Sequence, residues 1–172
     1  MTSIDRRVKI KKLLINSKEP ITGQELAARY EVTRQVIVRD IAILRAEGLD
    51  IISTPKGYMI LKEEHKNIRA VIAVNHDRED MEEELKIIVK YGAIVEDVIV
   101  EHALYGEIRC MLMLKNMYDV ENFYKKFKKY SVEPLSTLTN GVHLHTIVCE
   151  SEEMLKSVTK ELSEKDFLVR SL

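Results

Sequence analysis

Apolar residues in the first fifty positions recur every three or four residues; afterwards they gather into short runs broken by turn residues. The chain therefore reads as helices first and mixed strands and helices later. The spacing predicts a helix from a Ser3 cap to about Asn16, with Ile4, Val8 and Lys11-Lys12 flanking an apolar stripe that ends on Leu14 and Ile15. Thr22-Gly23-Gln24-Glu25 has the form of a capping box, in which threonine and glutamate each satisfy an orphan backbone donor. Ile21 and Leu26 flank it as a hydrophobic staple, and this short helix ends near Tyr30-Glu31. A further cap, Thr33, opens RQVIVRDIAILRAEG, in which Ile37, Ile41 and Leu44 share the buried face and Gly48 is a stop. Two short apolar runs then surround Thr54-Pro55-Lys56-Gly57, a turn with proline second and glycine fourth. Three helices and a hairpin make a winged helix-turn-helix over residues 1–62.

The outward face of the third helix carries Gln35, Val38, Arg39 and Ala42, with Arg34 on its flank. Small and hydrogen-bonding side chains near the N-terminus suit a helix lying in a major groove. Thr33, Arg34, Gln35, Val38 and Arg39, with Lys56 on the wing, are the candidate contacts to double-stranded DNA. The plain alternative is a helical packing module whose charged face is merely solvated. Caps, turn length and wing agree on the DNA reading, and the stretch resembles the amino-terminal domains of many bacterial repressors.

Beyond the polar Glu63-Glu64-His65-Lys66, read as a short and stiff linker, residues 66–172 interleave strands and helices. Strands are predicted at Ile68–Asn75, Ile94–Val100, Ile108–Leu114 and Val142–Cys149, with Phe167–Val169 as an added edge. Helices are predicted at Asp80–Tyr91, Tyr118–Tyr130 and from a Ser151 cap to Leu162. Met81, Leu85, Ile88 and Val89 point inward on the first; Val120, Phe123, Tyr124 and Phe127 do so on the second. Leu135–Thr139 is left without assignment. The irregular interleaving favours an α+β class, a sheet covered by helices on one side.

Composition sharpens this division. Residues 1–61 carry 11 Lys+Arg against 7 Asp+Glu, whereas the remainder carries 16 against 21. A basic domain joined to an acidic one fits a nucleic-acid reader carrying a sensor. The chain has no apolar run near the roughly 20 residues needed to span a bilayer, and its N-terminus lacks a signal-peptide core. Cys110 and Cys149 each lie in an apolar run and are expected as buried free thiols in a cytoplasmic protein. The lysines at 125, 126, 128 and 129 read as a solvated helix face.

The candidate chemistry lies among five histidines. In Gly141-Val142-His143-Leu144-His145 two imidazoles stand two residues apart on a strand and so share a face. His76 precedes a helix rich in carboxylates, where spacing alone does not choose among Glu82, Glu83 and Glu84. Three imidazoles and a carboxylate suit a borderline ion such as zinc or nickel. The competing reading is two edge-strand histidines satisfied by water and backbone. His102, in a strand-loop junction, reads as a ligand contact, an orienting group or a merely exposed side chain; His65 reads as solvent-facing.

The segments NHDREDMEEEL, EHALYGEI and LTNGVHLHTI make the chain from Ile68 onward resemble the 3H domain. With the winged helix in front, nearly the whole chain resembles niacin-responsive transcriptional repressors of NAD biosynthesis and niacin transport. The resemblance implies an HPr-like α+β sandwich, a homodimer, and operator binding when nicotinic acid acts as corepressor. It also implies a divalent metal at His76, Glu84, His143 and His145, and it is this comparison that selects Glu84. His102 and Tyr105 would contact the effector or hold a metal ligand in place. Ala103 stands where proline is expected in relatives, a change that removes no ligand. No catalytic residue is expected. Two alternatives remain: a metal-responsive regulator, and a metal-dependent hydrolase fused to a DNA-binding domain with Glu83 or Glu84 as general base. Four protein ligands and the lack of HExxH weigh against the hydrolase.

Overall fold

A computed structural model of the chain describes residues 2–61 and 67–169. The proposed linker, with His65, falls largely outside the described residues. The chain divides into two compact units, Met1–Glu63 and Glu64–Leu172.

The first unit is built from α1 (Ser3–Asn16), α2 (Gly23–Arg29), α3 (Arg34–Ala46) and a hairpin of β1 (Ile51–Thr54) and β2 (Gly57–Ile60). Its core is Ile10, Leu14, Leu26, Ala27, Ile37, Ile41, Leu44 and Ile51. Both expected caps of α2 and α3 are present: Thr22 closes a capping box with Glu25, and the Thr33 hydroxyl accepts from the Val36 amide. The cap of α1 is one residue earlier than expected. Thr2, not Ser3, caps it, because Asp5 stands at the position where its carboxylate can return the bond to the Thr2 backbone.

The stripe of α1 also differs from expectation. Its buried positions are Arg6, Ile10 and Leu14, while Ile15 is exposed. The reason is an ion pair. Arg6 Nε lies 2.6 Å and Nη2 3.3 Å from the carboxylate of Asp40, a buried residue on the inner face of α3. The Asp40 hydrogen bond raises the Arg6 pKa above its usual value and locks α1 to α3. Arg45 does the same for the wing, donating from Nε to the Ile51 carbonyl at 2.7 Å and from Nη2 to Ser53 Oγ at 2.8 Å. Gly57, at φ +135°, has no room for a Cβ, which would lie 2.4 Å from the Ile21 carbonyl oxygen. That close approach lets Ile21 and Tyr58 exchange both backbone hydrogen bonds, at 2.9 and 2.8 Å.

The second unit contains β3 (Ile68–Asn75), α4 (Met81–Lys90), β4 (Ile94–His102), β5 (Gly106–Leu114), α5 (Met117–Tyr130), β6 (Val142–Cys149) and α6 (Glu152–Glu164). The strands form an antiparallel sheet in the order β3-β6-β4-β5. Side chains from α4, α5 and α6 pack with Ile72, Val74, Val95, Leu112, Leu114, Ile147 and Cys149 in one core, so the helices cover one face of the sheet. The α+β class holds. Short 3-10 turns at Arg78–Asp80 and Leu135–Thr139 supplement it, the latter being the stretch the periodicity left unassigned. Phe167–Val169 does not form a full strand. It adds a single bridge, Leu168 to Val74, with Asn75 donating to the Phe167 carbonyl and Val169 donating to that of Ala73.

One cysteine contradicts expectation. Cys149 is buried, but Cys110 is exposed, because it lies in the first half of the edge strand β5. There Glu107, Arg109 and Cys110 are all exposed, while Leu112, Met113 and Leu114 are buried. The residues of α5 at 125, 126, 128 and 129 are exposed, as a solvated face requires.

Candidate metal centre and nucleic-acid interface

His143 and His145 lie on β6 opposite Val74 and Ile72 of β3, on the face covered by helices. They are 4% and 2% exposed, so these imidazoles stand in the core rather than at a wet strand edge. Gly141 permits this approach. At φ +93° its missing Cβ would sit 2.6 Å from Asn75 Oδ1 and 2.8 Å from the His76 carbonyl oxygen. The start of β6 is thereby pressed against the end of β3, which brings His143 to His76. Glu84, the fourth residue of α4, points into the same space and is completely buried. Glu82 and Glu83 instead pair with Lys86 and Lys165.

The three rings meet around the two oxygens of the Glu84 carboxylate. His76 Nε2 is 2.9 Å and His143 Nε2 3.6 Å from Glu84 Oε2, and His145 Nε2 is 3.2 Å from Oε1. One ligand atom each from His76, Glu84 and His143 lies within 4.8 Å of the others; His145 joins the group through Oε1. Ring centroids of His143 stand 4.9 Å from those of both His76 and His145, edge to face, and Phe167 flanks His76 at 5.3 Å.

The other side of each ring decides which nitrogen faces the carboxylate. His76 Nδ1 is 2.8 Å from the Asp77 carbonyl, His143 Nδ1 2.8 Å from that of Gly141, and His145 Nδ1 2.5 Å from that of Asp97. A carbonyl only accepts, so each Nδ1 donates and each Nε2 turns toward the carboxylate. If all three rings were neutral, three lone pairs would face an anion across 2.9–3.6 Å, which is repulsive. A cation must lie among them, either protons or a metal. Oε1 of Glu84 is a buried oxygen with no aligned hydrogen-bond donor, despite the nearness of His145. A carboxylate so placed, with three Nε2 atoms preset as donors of electron pairs, fits a divalent transition ion.

The electrostatics of the metal-free cluster run the same way. Burial opposes ionisation of Glu84, but the His145 charge and the polar contacts of His143, His145 and His76 hold its carboxyl well below the usual range. Burial likewise works against charged imidazoles at His76 and His145, and Glu84 outweighs it, so both are raised above the ordinary value.

His102 ends β4, and Tyr105 lies in the turn that leads to β5. Their rings stand 5.0 Å apart, and His102 Nδ1 accepts from the amides of Leu104 and Tyr105 at 3.1 and 3.3 Å. Among the described residues the structure shows no hydrogen bond or ring contact from this pair to the four-residue cluster. Tyr105 and its neighbour Leu104 are 73% and 76% exposed, a large unsatisfied surface at the hairpin tip.

In the first unit, Thr33, Arg34, Gln35, Val38 and Arg39 are exposed together at the start of α3, and Ile37, Asp40, Ile41 and Leu44 are buried behind them. Lys56 stands in the two-residue turn of the hairpin and is half-buried. Sequence reasoning missed Gly141, whose role depends on a strand paired far away in the chain. It also missed Asp97. Two adjacent acids, Glu96 and Asp97, inside the apolar run IVEDVIVE were the available signal.

An HTH domain matches residues 6–59, and a 3H domain matches residues 69–171. The chain is 42% identical over 165 residues to a protein of Thermotoga maritima named probable transcription repressor NiaR, covering 96% of this chain and 94% of that one. It is 37% identical over 169 residues to a transcription repressor of Bacillus subtilis named NadR, at 96% and 94% coverage. The chain belongs to the 3H-domain family of transcription repressors. An HTH domain in such a repressor implies DNA as its partner, and repression rather than catalysis is the activity these relatives are named for. Among the described residues no helix is long and apolar enough to cross a membrane.

Proposed function

We propose that this 3H-domain repressor reads operator DNA through α3 and responds to nicotinic acid, with zinc or nickel resident at His76, Glu84, His143 and His145. The genes it controls would be those of NAD biosynthesis or niacin uptake. The observation that carries the metal reading is the shared tautomer: three buried rings, each with Nδ1 tied to a backbone carbonyl and Nε2 aimed at one buried carboxylate. The nicotinic acid reading rests on the resemblance borne by EHALYGEI and LTNGVHLHTI. When bound, the ion would supply a Lewis-acidic position able to take a carboxylate or a pyridine nitrogen.

The residues of this chain do the rest. His102 and Tyr105 would contact the effector, and Thr33, Arg34, Gln35, Val38, Arg39 and Lys56 would touch bases or adjacent phosphates. The repressor would act as a homodimer, its two recognition helices about one DNA turn (~34 Å) apart. Nicotinate acts as corepressor only if it binds the DNA-competent arrangement better than the other, because equal affinity for both shifts nothing.

The test is a DNA-binding titration of metal-loaded protein on a fragment selected from a random pool with metal and nicotinate present. Nicotinate, nicotinamide and NAD are compared, each with metal retained or chelated. Binding tightened by nicotinate and lost on chelation is the expected result. Full binding with metal alone would replace this reading with a metal-responsive regulator.

A further inference from the structure

The four-residue cluster faces the helices, but one of its rings is held from the opposite face of the sheet. The alternation of β4 breaks between Val95 and Ile99. Val95 pairs with Ile147 of β6, whereas Ile99 pairs with Leu144, so the five residues 95–99 of β4 match the four residues 144–147 of β6. Against β5 the register shifts at the same place, but there the extra residue lies on β5: Val95 pairs with Leu114 and Asp97 with Met111. A bulge of this kind turns the strand over. Val95 packs with the helices, while Asp97 and Ile99 face away from them.

Asp97 is completely buried on that far face. Its Oδ1 accepts the Thr146 amide at 2.8 Å, and its Oδ2 accepts Arg109 Nη1 at 2.6 Å. The Thr146 amide therefore finds its partner in a side chain. The backbone carbonyl of Asp97, which has no register partner on β6, accepts His145 Nδ1 at 2.5 Å. Arg109 is half-exposed, and its Nε and Nη2 are each held by Glu107 at 3.3 Å. One residue thus grips β6 twice, at Thr146 by its carboxylate and at His145 by its carbonyl.

We infer that Asp97, braced by Arg109, is a positioning residue that fixes the ring orientation and Nδ1–H tautomer of His145 through the β4 bulge. This rests on the proposed metal reading for its consequence but not for its geometry, which the metal-free chain already has. Groups that orient a ligand in this way commonly alter metal affinity by about 10- to 100-fold when replaced. Asp97→Asn keeps the size of the side chain but leaves one acceptor oxygen for two donors, so its NH2 must oppose either Arg109 or the Thr146 amide. The carboxylate grip on the bulge is then lost, and the carbonyl under His145 is free to tilt.

The experiment has two readouts on the full chain. The first is the nitrogen-15 spectrum of the histidine rings in metal-free protein in mildly alkaline buffer, with His145 assigned by His145→Gln. The second is cobalt(II) affinity and its visible absorption spectrum. Wild type should show a pure Nδ1–H tautomer at His145. Asp97→Asn should mix the tautomers, shift the cobalt bands and weaken cobalt binding about 10- to 100-fold. Arg109→Gln, at a half-exposed site that tolerates change, should give the same signs at about 10-fold, the lower end of that range. Arg109→Lys, which keeps one donor to Asp97, should restore both readouts. If these variants lower only the melting temperature, with tautomer and cobalt affinity unchanged, Asp97 is structural and the inference is overturned. If wild type takes up no cobalt, nickel or zinc, the metal reading fails. The tautomer measurement then decides this inference alone: mixing in Asp97→Asn supports it, and a pure Nδ1–H ring overturns it.

Discussion

The two units treat their buried charges differently. In the first, Asp40 of α3 takes a two-point ion pair from Arg6 of α1 and a longer one from Arg7 at 3.6 Å, and both its oxygens are matched. In the second, Glu84 is buried among three imidazoles with one oxygen lacking an aligned donor. A paired charge inside a small core is adequately explained as a way to fix helix geometry. A buried carboxylate left short of a partner, with three rings preset around it, is a standing cost that folding alone does not justify. The first unit keeps its candidate DNA contacts on the surface and its buried ion pair for structure, whereas the second holds its candidate ligand atoms in the core.

The largest expected effect removes the asymmetry outright. Glu84→Gln should weaken zinc or nickel binding by at least about 100-fold, the upper end of what even an outer-shell change achieves, measured by competition with a chromophoric chelator. DNA binding by α3 in the absence of effector should be untouched. Next comes Asp40→Asn, which strands Arg6 in the core of the first unit and should cost about 3 kcal/mol by urea denaturation. Metal affinity should not change, and a loss of metal binding there would show that the units are not independent. A third comparison lies within the first unit. Gln35→Ala should alter preference at one base pair by about 1–3 kcal/mol. Lys56→Ala should weaken binding to all sequences alike and lower the salt slope by about one. Identical behaviour of the two would mean that α3 is wrongly oriented on DNA.

A smaller effect follows from protons. In the metal-free protein His76 and His145 are raised above the ordinary imidazole value of 6.5, so their stabilising contact with Glu84 is fully present below that value and lost as pH rises through the raised values. Glu84 is depressed below its ordinary 4.5, so its contribution disappears only at strongly acid pH. Metal and protons compete for the same Nε2 atoms. The rise in melting temperature on adding zinc should therefore be small near pH 5.5 and grow above pH 7, a range set by ordinary imidazole titration. A metal-induced shift that grew toward acid pH would contradict the ligand set.

The same contrast explains what could be read from the residues alone. The candidate DNA contacts on α3 are close in sequence, so the helical period of RQVIVRDIAILRAEG separates the exposed Gln35, Val38 and Arg39 from the buried Ile37, Ile41 and Leu44. Capping chemistry is equally local, and Thr22 and Thr33 were legible; Thr2 was passed over for the serine beside it. The histidine cluster is different. The shared face of His143 and His145 follows from strand alternation, but their nearness to His76 needs the β3–β6 pairing and the missing Cβ of Gly141. Spacing left Glu82, Glu83 and Glu84 equivalent, and only the resemblance, and then the packing of α4, separates them. Arg6 and Asp40 were unreadable because a buried charge looks like a surface charge until its partner is placed. Asp97 was hidden by a bulge, which inverts the alternation on which strand reading depends.

The proposed function stands on the buried cluster being a metal site made of three imidazoles and one carboxylate. X-ray absorption on nickel- or zinc-loaded protein examines that site itself, since multiple scattering counts the imidazoles around the ion. The expected first shell contains nitrogen and oxygen only, with three imidazoles in wild type, two in His143→Ala, and no sulfur. A shell containing one imidazole or none, or one unchanged by His143→Ala, would place the metal elsewhere and leave the histidines as a protonated core.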